Sequence, residues 1–208
     1  MFNELLKRYP ALESCKEEIK NAAEAIIDCY ENGGKVLLCG NGGSCADCDH
    51  IVGELMKGFL LRRPMGEEKE NEMKKNFEKI DGEMLKKLQC GLPAISLPSI
   101  TALNSAFCND VDPELIYAQS LFALGKKGDI LIGLSTSGNA KNVNAAAEVA
   151  RGLGITVIGM TGEKGGRLRE NADICIRVPE NETFKIQELH LPVYHYLCAE
   201  VEAHFFLM

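Results

Sequence analysis

Five short apolar segments alternate with longer amphipathic segments along this chain. The apolar segments are residues 35–40, 94–97, 129–135, 156–161 and 174–179. They are rich in β-branched residues and apolar at consecutive positions, which is typical of strands buried on both faces. Because helical patterns separate these segments, right-handed crossovers are expected. The pattern therefore predicts an α/β fold with a five-stranded parallel sheet flanked by helices on both faces, as in a flavodoxin-like three-layer sandwich.

Two regions with helical periodicity lie outside this alternation. Residues 1–31 carry apolar side chains at near-helical spacing, which predicts one long amphipathic helix. Residues 66–90 are strongly charged, and the apolar residues that recur there every three or four positions are Met73, Phe77, Ile80, Met84 and Leu88. They predict an amphipathic helix or a helix pair with a break at 81–82. The segment is interpreted either as a solvated surface insertion or as a lid or oligomer contact, within a single domain of residues 1–208.

The first predicted strand is followed by a glycine-rich loop. Its residues are Gly40, Asn41, Gly42, Gly43 and Ser44, and a helical pattern follows. In such sheets ligands bind beyond the carboxyl ends of the strands, and glycines let the backbone approach an anion closely. Ser44 can cap the helix, whose N-terminus adds partial positive charge. The last glycine of a dinucleotide fingerprint is replaced by Cys45, so the loop is either a phosphate site or only a tight turn.

Hydroxyl side chains follow the third predicted strand. The residues are Ser135, Thr136, Ser137, Gly138 and Asn139, and another helical pattern begins at residue 140. Three hydroxyls beside a helix N-terminus suit a phosphate monoester, although the same residue types also cap helices. Two such loops at the ends of two parallel strands favour the phosphate interpretation. We also place Asn109 and Asp110 among the candidate substrate-binding residues.

Composition narrows the class of protein. The formal net charge of -7 argues against sequence-independent binding to nucleic acid, which needs clustered cations. No apolar run is long enough to span a bilayer, so no membrane partner is expected. The 9 cysteines are odd in number and scattered, which indicates free thiols in a reducing cytoplasm. Cys45 and Cys48 form a CxxC motif, but no second CxxC completes a zinc site, so both are interpreted as packing cysteines.

Four motifs together resemble one known family. They are GNGGS at 40–44, DHIVGEL at 49–55, STSGN at 135–139 and IQELH at 186–190. STSGN alone marks the SIS (sugar isomerase) domain class, and the combination resembles the phosphoheptose isomerases within it. The resemblance runs from about residue 35 to the C-terminus, interrupted by the charged segment. It implies an aldose–ketose isomerase that converts sedoheptulose 7-phosphate to a mannoheptose 7-phosphate, or acts on a related phosphosugar. It also implies a homotetramer with active sites at subunit interfaces.

The resemblance further implies roles for particular residues. The phosphate cradle would contain Asn41, Gly42, Gly43, Ser44, Ser135, Thr136, Ser137 and Asn139. The implied metal is Zn²⁺, with the ligands His50, Glu54, Gln187 and His195. Of these, Glu54 would be the base that removes a carbon-bound proton and His195 the complementary acid.

Helical spacing alone supports only part of this assignment. His50 and Glu54 are four residues apart and share one helix face. Such a pair is more often a surface pair than a metal site, but this one follows a candidate phosphate loop by one turn. His190 shares a face with Gln187, whereas His195 lies about 80° away around an ideal helix, with Pro192 between them. Geometry leaves both histidines open, and the family spacing implies His195.

Three differences from the family pattern leave the sugar open. The family commonly has an arginine shortly after the His50 and Glu54 positions, but this chain has Lys57, Gly58 and Phe59 there. The candidates to replace that arginine are Lys57, Arg62 and Arg63. Ala140 stands where the family has a further serine, and 66–90 replaces a short connection. The alternatives from other classes are a non-catalytic scaffold associated with a replication initiator and a phosphosugar sensor. The retained Glu54 and His195 favour an enzyme.

Overall fold

A single parallel sheet forms the centre of the protein in a computed structural model that describes residues 1–207. Its strands are β1 (Val36–Gly40), β2 (Ala94–Ser96), β3 (Ile130–Leu134), β4 (Thr156–Thr161) and β5 (Ile174–Arg177). They follow the order β2-β1-β3-β4-β5, and every neighbouring pair is parallel. The five predicted strands and the parallel sheet are therefore confirmed, with ends up to two residues shorter than the apolar runs.

Helices cover both faces of the sheet, as the consecutive apolar positions require. They are α1 (Phe2–Arg8), α2 (Lys16–Glu31), α3 (Gly43–Met56), α4 (Glu67–Asn76), α5 (Gly82–Leu85), α6 (Thr101–Asp110), α7 (Ile116–Leu124), α8 (Lys141–Gly152), α9 (Leu168–Asn171) and α10 (Thr183–Phe206). One core cluster joins α2, α3 and α10 to one face of the sheet, and a second joins α7 and α8 to the other face. Successive residues of a strand point to opposite faces, so Leu37 belongs to one cluster and Leu38 to the other.

The N-terminal region is not one continuous helix, so the prediction of a single helix over 1–31 is wrong. A short 3-10 helix over Pro10–Cys15 separates α1 from α2. Proline lacks a backbone N–H and disfavours the helical conformation of the residue before it. Tyr9 accordingly has φ -128° and ψ 70°, outside the helical region. The apolar side chains keep near-helical spacing across the break, and Leu5, Leu12 and Ile19 are all buried.

The charged segment 66–90 forms the helix pair that its pattern allowed. Between α4 and α5 the chain breaks at 77–81, and the Asp81 side chain caps α5 by accepting a hydrogen bond from the Glu83 N–H at 2.9 Å. Leu85 is fully buried. Phe77 and Met84 are exposed on its outer surface. The lid or oligomer role of this surface stays a prediction.

The cysteines occur as free thiols, as their number and spacing predicted. Cys48 is completely buried in the core cluster with α2 and α10, and Cys45 is partly buried. Burial raises the pKa of both thiols, which keeps them protonated and poorly nucleophilic. Among residues 1–207, no helix combines the length and the apolarity that a membrane span requires.

Candidate active site

The two candidate phosphate loops lie side by side because β1 and β3 are neighbours in the sheet. The strand order reverses direction between these two strands, which is where ligands bind in open α/β sheets. The first loop connects β1 to the N-terminus of α3. Gly42 has φ 58°, a left-handed conformation that glycine adopts without strain. Ser44 is buried, and its N–H donates to the Asn41 carbonyl at 3.1 Å.

Gly43 brings this loop against the C-terminal helix. A Cβ atom at this position would lie 2.5 Å from Nε2 of Gln187 on α10. Glycine at this position therefore lets the Gln187 amide lie against the backbone of the first loop, and a larger residue would displace that amide. The structure thus places Gln187 beside the phosphate loop. Among residues 1–207 its side chain makes no hydrogen bond with His50, Glu54 or His195.

Asn41 connects the first loop to the helix that follows the second loop. Its Nδ2 donates to Oδ1 of Asn142 on α8 at 2.8 Å, and Nδ2 of Asn142 donates back to Oδ1 of Asn41 at 2.9 Å. The Tyr117 hydroxyl donates to the Gly40 carbonyl at 2.8 Å, which holds the start of the loop. Sequence reasoning missed Asn142 and Tyr117, because both contacts join segments far apart in the chain.

The second loop is held in place by a third loop over 161–166. Gly138 has φ 68°, and a Cβ atom there would lie 1.9 Å from the Gly165 carbonyl oxygen. Oδ1 of Asn139 accepts from the Arg167 N–H at 3.1 Å, which ties the same two loops together. Ser135 is buried, whereas Ser137 is exposed beside the N-terminus of α8. The hydroxyl-rich loop is therefore rigidly positioned at the edge of the sheet where an anion would bind.

A cluster of titratable groups lies along α3, beyond the phosphate loops. Nε2 of His50 lies 3.2 Å from Oε1 of Glu54, and Nζ of Lys57 lies 3.2 Å from the other oxygen of the same carboxylate. The His195 ring from α10 lies 5.0 Å from the His50 ring, measured between centroids. The Phe59 ring covers His195 at 5.5 Å. The structure thus brings together three of the four predicted metal and catalytic residues.

The environment of His195 favours a neutral imidazole. Desolvation lowers its pKa, and the nearby His50 lowers it further, while Glu54 acts in the opposite direction. Its Nε2 atom is buried and has no hydrogen-bond partner among the described residues. A buried polar atom without a partner is costly, so this nitrogen is suited to contact a bound ligand. A cavity of about 490 Å³ also opens beside His195, between α10 and the N-terminal segment.

The structure separates the two histidines that helical geometry left open. His190 is fully buried on the sheet side of α10, with Nε2 3.3 Å from the Thr161 carbonyl oxygen. Desolvation lowers its pKa from 6.5 to about 4, so it is neutral at physiological pH. His190 is therefore a core histidine, whereas His195 faces His50.

A tyrosine that the sequence interpretation left as structural contacts the cluster. The Tyr194 hydroxyl lies 3.0 Å from Nδ1 of His50 and donates to Oδ1 of Asp47 at 3.1 Å. Burial raises the pKa of Tyr194 and of Asp47. The signal in the sequence was weak: Asp47 is one helical turn before His50, and Tyr194 is adjacent to His195.

The arginine missing from the family pattern is not replaced by Arg63. Arg63 is buried and pairs with Glu202 on α10 at 2.8 Å, so it is unavailable to a substrate. Its two terminal nitrogens donate to the carbonyls of Leu55 and Glu54 at 2.7 and 3.1 Å. Arg62 is exposed, and Lys57 already contacts Glu54. Lys57 is thus the cation closest to the cluster, and Arg63 holds the end of α3.

Asn109 and Asp110 lie at the exposed C-terminal end of α6. Nδ2 of Asn109 donates to Oδ1 of Asp110 at 2.7 Å. Among the described residues, neither side chain makes a hydrogen bond with the two phosphate loops. Their role in substrate binding stays a prediction.

The donor set of the cluster fits a zinc ion by its chemistry. His50 and His195 offer imidazole nitrogens and Glu54 a carboxylate, which are ligands that zinc prefers. The unpartnered Nε2 atom of His195 is consistent with such a role. Residues 1–207 do not, however, contain three or more His, Cys, Asp or Glu side chains already close enough together to hold a metal ion.

Comparisons with known proteins agree with this architecture. SIS domain models match residues 2–88 and 102–198. A phosphoheptose isomerase of Helicobacter pylori (strain P12) is 38% identical over 202 residues, which span 97% of this chain and 91% of the relative. One from Burkholderia pseudomallei (strain 1710b) is 40% identical over 184 residues, which span 88% of this chain and 80% of the relative.

Solved structures give the same result. The phosphoheptose isomerase of Neisseria gonorrhoeae is 30% identical with a TM-score of 0.76, and the alignment covers 97% of this chain and 95% of that chain. The phosphoheptose isomerase of Francisella tularensis is 32% identical with a TM-score of 0.76, covering 96% and 93% respectively.

Proposed function

This chain belongs to the phosphoheptose isomerase family of SIS-domain proteins, and from this premise we propose that it isomerises sedoheptulose 7-phosphate or a closely related ketose phosphate to the aldose. The observation that carries the proposal is the position of Glu54 and His195. They lie together beyond two loops with the glycines and hydroxyls of a phosphate cradle. We propose that the whole chain forms one SIS domain, because one sheet with both faces covered joins its segments.

The phosphate of the substrate would bind between the first and second loops. The N-termini of α3 and α8 both point to this edge of the sheet and offer backbone N–H groups. The side chains that would donate to the phosphate are Ser44, Ser135, Thr136 and Ser137. Because the carbonyl end of the sugar is remote from its phosphate, binding there directs the reacting carbons along α3 towards Glu54.

Isomerisation moves one proton between two adjacent carbons while the carbonyl and hydroxyl exchange places. Glu54 would remove the proton from the hydroxyl-bearing carbon and return it to the former carbonyl carbon. Its carboxylate is mostly buried, with 15% of the side chain exposed, so solvent competes little for the transferred proton. His195, held neutral by desolvation, would donate a hydrogen bond to the oxygen that gains charge.

We propose His50, Glu54, His195 and Gln187 as the residues that would hold a zinc ion. When bound, the ion would supply Lewis-acid polarisation of the substrate oxygens. The support is the donor chemistry and the free nitrogen of His195. Gln187 lies beside Gly43 in the first loop, so its side chain would have to turn towards the other three residues to complete this set.

Proton exchange with solvent tests the proposed chemistry. The purified protein is incubated in heavy water with sedoheptulose 7-phosphate and a panel of shorter ketose phosphates. Deuterium is expected at the carbon next to the carbonyl, because the carboxylate of Glu54 exchanges its proton during enediol formation. Glu54→Gln should abolish incorporation while sugar-phosphate binding is retained, because the amide cannot accept the proton.

Glu17→Gln is the matched control, because Glu17 is an exposed carboxylate on α2, remote from the cluster. It should incorporate deuterium at the wild-type rate. Near-normal incorporation by Glu54→Gln would refute Glu54 as the base. No incorporation from any sugar, with zinc supplied and binding measured, would favour a sensor or a scaffold instead.

We also propose that the protein is a homotetramer with active sites at subunit interfaces. Apolar side chains are exposed around the cavity beside His195, including Leu60 and Leu191. A second copy covering them would exclude water from the cluster. Light scattering after size exclusion should give the mass of four chains, and a monomeric mass would contradict this assembly.

A further inference from the structure

The Tyr194 hydroxyl forms a bridge between two side chains of α3. It lies 3.1 Å from Oδ1 of Asp47 and 3.0 Å from Nδ1 of His50. The tyrosine is almost fully buried, and its ring also packs edge-on against the ring of His50. Neither the fold nor the proposed reaction requires a hydroxyl at this point, because a phenylalanine would fill the same volume.

Counting hydrogens fixes the direction of both hydrogen bonds. A phenol has one hydrogen to donate, and a carboxylate at neutral pH has none. The hydroxyl of Tyr194 therefore donates to Asp47 and can only accept from His50. Its partner at His50 must then be an Nδ1–H group. Since a neutral imidazole carries a single N–H, Nε2 of His50 is left with a lone pair.

That lone pair lies within the titratable cluster. Nε2 of His50 lies 3.2 Å from Oε1 of Glu54, and the His195 ring is adjacent. A carboxylate oxygen and an imidazole lone pair are both acceptors, so they attract a proton donor or a cation between them. In the other tautomer the Nε2 hydrogen would lie beside the Glu54 carboxylate and occupy this position. The tautomer of His50 therefore decides what the cluster can bind.

We propose that Tyr194, oriented by Asp47, is a positioning residue that holds the His50 ring with its hydrogen on Nδ1, so that the neutral ring keeps a lone pair on Nε2 beside Glu54. A second hydrogen bond to a ligating histidine commonly sets its tautomer and ring orientation. The meaning of this arrangement for catalysis rests on the isomerase function proposed above. The tautomer itself does not, because it is a property of the protein without substrate.

Nitrogen-15 NMR of the histidine rings tests the inference directly. The protein contains only 4 histidines, and the signals that disappear in His50→Gln assign His50. Spectra are recorded without substrate, after removal of metal by a chelator, at about pH 8, where an ordinary imidazole is neutral. The wild-type His50 ring should show a protonated, pyrrole-type Nδ1 and an unprotonated, pyridine-type Nε2.

Two variants should reverse the tautomer by different routes. In Tyr194→Phe, Nδ1–H loses its acceptor, so Nε2–H is favoured because the negative carboxylate of Glu54, 3.2 Å away, attracts the hydrogen to Nε2. In Asp47→Ala the phenol hydrogen is released and can donate to Nδ1, which again favours Nε2–H. Asp47→Ala keeps the tyrosine ring and its packing, so it tests the inference even where Tyr194→Phe disturbs the fold. Tyr196→Phe is the matched control, because Tyr196 is buried on the same helix and packs against Phe2 instead.

The expected result is Nδ1–H in the wild type and in Tyr196→Phe, and Nε2–H in the other two variants. A neutral His50 ring that carries its hydrogen on Nε2 in the wild type would overturn the inference. So would retention of Nδ1–H in both variants, or the same change in Tyr196→Phe. If the deuterium experiment fails but the tautomers behave as stated, the function is wrong and the role of Tyr194 stands.

Discussion

The buried pair between Arg63 and Glu202 gives the sharpest prediction for stability. The Glu202 carboxylate accepts from the N–H groups of Phe59, Leu60 and Leu61 at 2.7, 2.7 and 3.0 Å, and from Nε of Arg63 at 2.8 Å. Burial alone raises the pKa of Glu202, but these donors more than offset it, so its pKa lies below the ordinary range. One carboxylate on α10 thus holds the whole turn after α3.

Glu202→Gln keeps the size of the side chain but removes its charge. The amide oxygen can serve only some of the four donors, and its NH₂ group faces the others. Arg63 remains buried with carbonyl partners but without a carboxylate. Breaking a buried pair by removing one partner costs about 3–5 kcal/mol, because the other charge is left uncompensated. For a domain of this size that corresponds to a fall in Tm of at least about 6 °C.

Urea denaturation followed by circular dichroism, together with thermal melting, measures this loss. Glu31→Gln is the matched control, because Glu31 pairs with His204 at 2.8 Å on the exposed surface. Exposed pairs contribute at most about 1 kcal/mol, so this control should melt close to the wild type. If Glu202→Gln and Glu31→Gln were equally stable, the turn after α3 would not depend on the buried pair, and the reasoning would be refuted.

Two further predictions concern the second loop and the core histidine. Gly138→Ala should weaken binding of a sugar phosphate by at least about tenfold, because the added Cβ would collide with the Gly165 carbonyl. Gly152→Ala is the control and should bind normally, because a Cβ at residue 152 would lie in open space. Equal affinities of the two variants, measured by calorimetry, would contradict this prediction. Because the pKa of His190 falls from 6.5 to about 4 on folding, the unfolded chain binds the proton first, and stability present above pH 6.5 should be lost as the pH falls towards 4. That loss amounts to roughly 3 kcal/mol. Urea titrations at pH 6.5 and pH 4 measure this loss of stability in the wild type, and His190→Leu should not show it. If His190→Leu lost as much stability as the wild type between these pH values, His190 would not titrate in this way.

The strands and the phosphate loops could be predicted because their signals are local. A strand buried on both faces needs consecutive apolar residues, and residues 130–134 and 156–161 supply them without reference to the rest of the chain. The loops after β1 and β3 were recognisable for the same reason, because glycines and hydroxyls occur together within five residues. Their adjacency followed from the rule for parallel sheets.

The N-terminal helix shows where a local signal misled. The apolar spacing of residues 1–31 was helical, and those side chains are buried as the spacing indicated. The backbone nevertheless breaks at Pro10, because the restriction on Tyr9 outweighs the periodicity. The pattern therefore predicted correctly which side chains are buried, but the continuous helix that it implied was wrong.

The role of each C-terminal histidine depended on packing. His190 and His195 lie on either side of the Gln187 face of α10, so the sequence alone left both open. Packing of α10 against β4 and α3 turns His190 towards Thr161 and His195 towards His50. Arg63 stayed among the three candidates to replace the family arginine for the same reason, because its partner Glu202 is remote in sequence and no local pattern joins them.

The sequence by itself determined the parallel sheet, the two anion loops and the pair of His50 and Glu54 on one helix face, since each follows from residues within a few positions of one another. Only the tertiary structure decided which histidine faces that pair, that Arg63 is internal, and that Tyr194 and Asp47 contact His50. These contacts join α3 to α10, nearly 150 residues later in the chain. The orientation of a buried helix is fixed by the surfaces packed against it, and its own residues do not specify those surfaces.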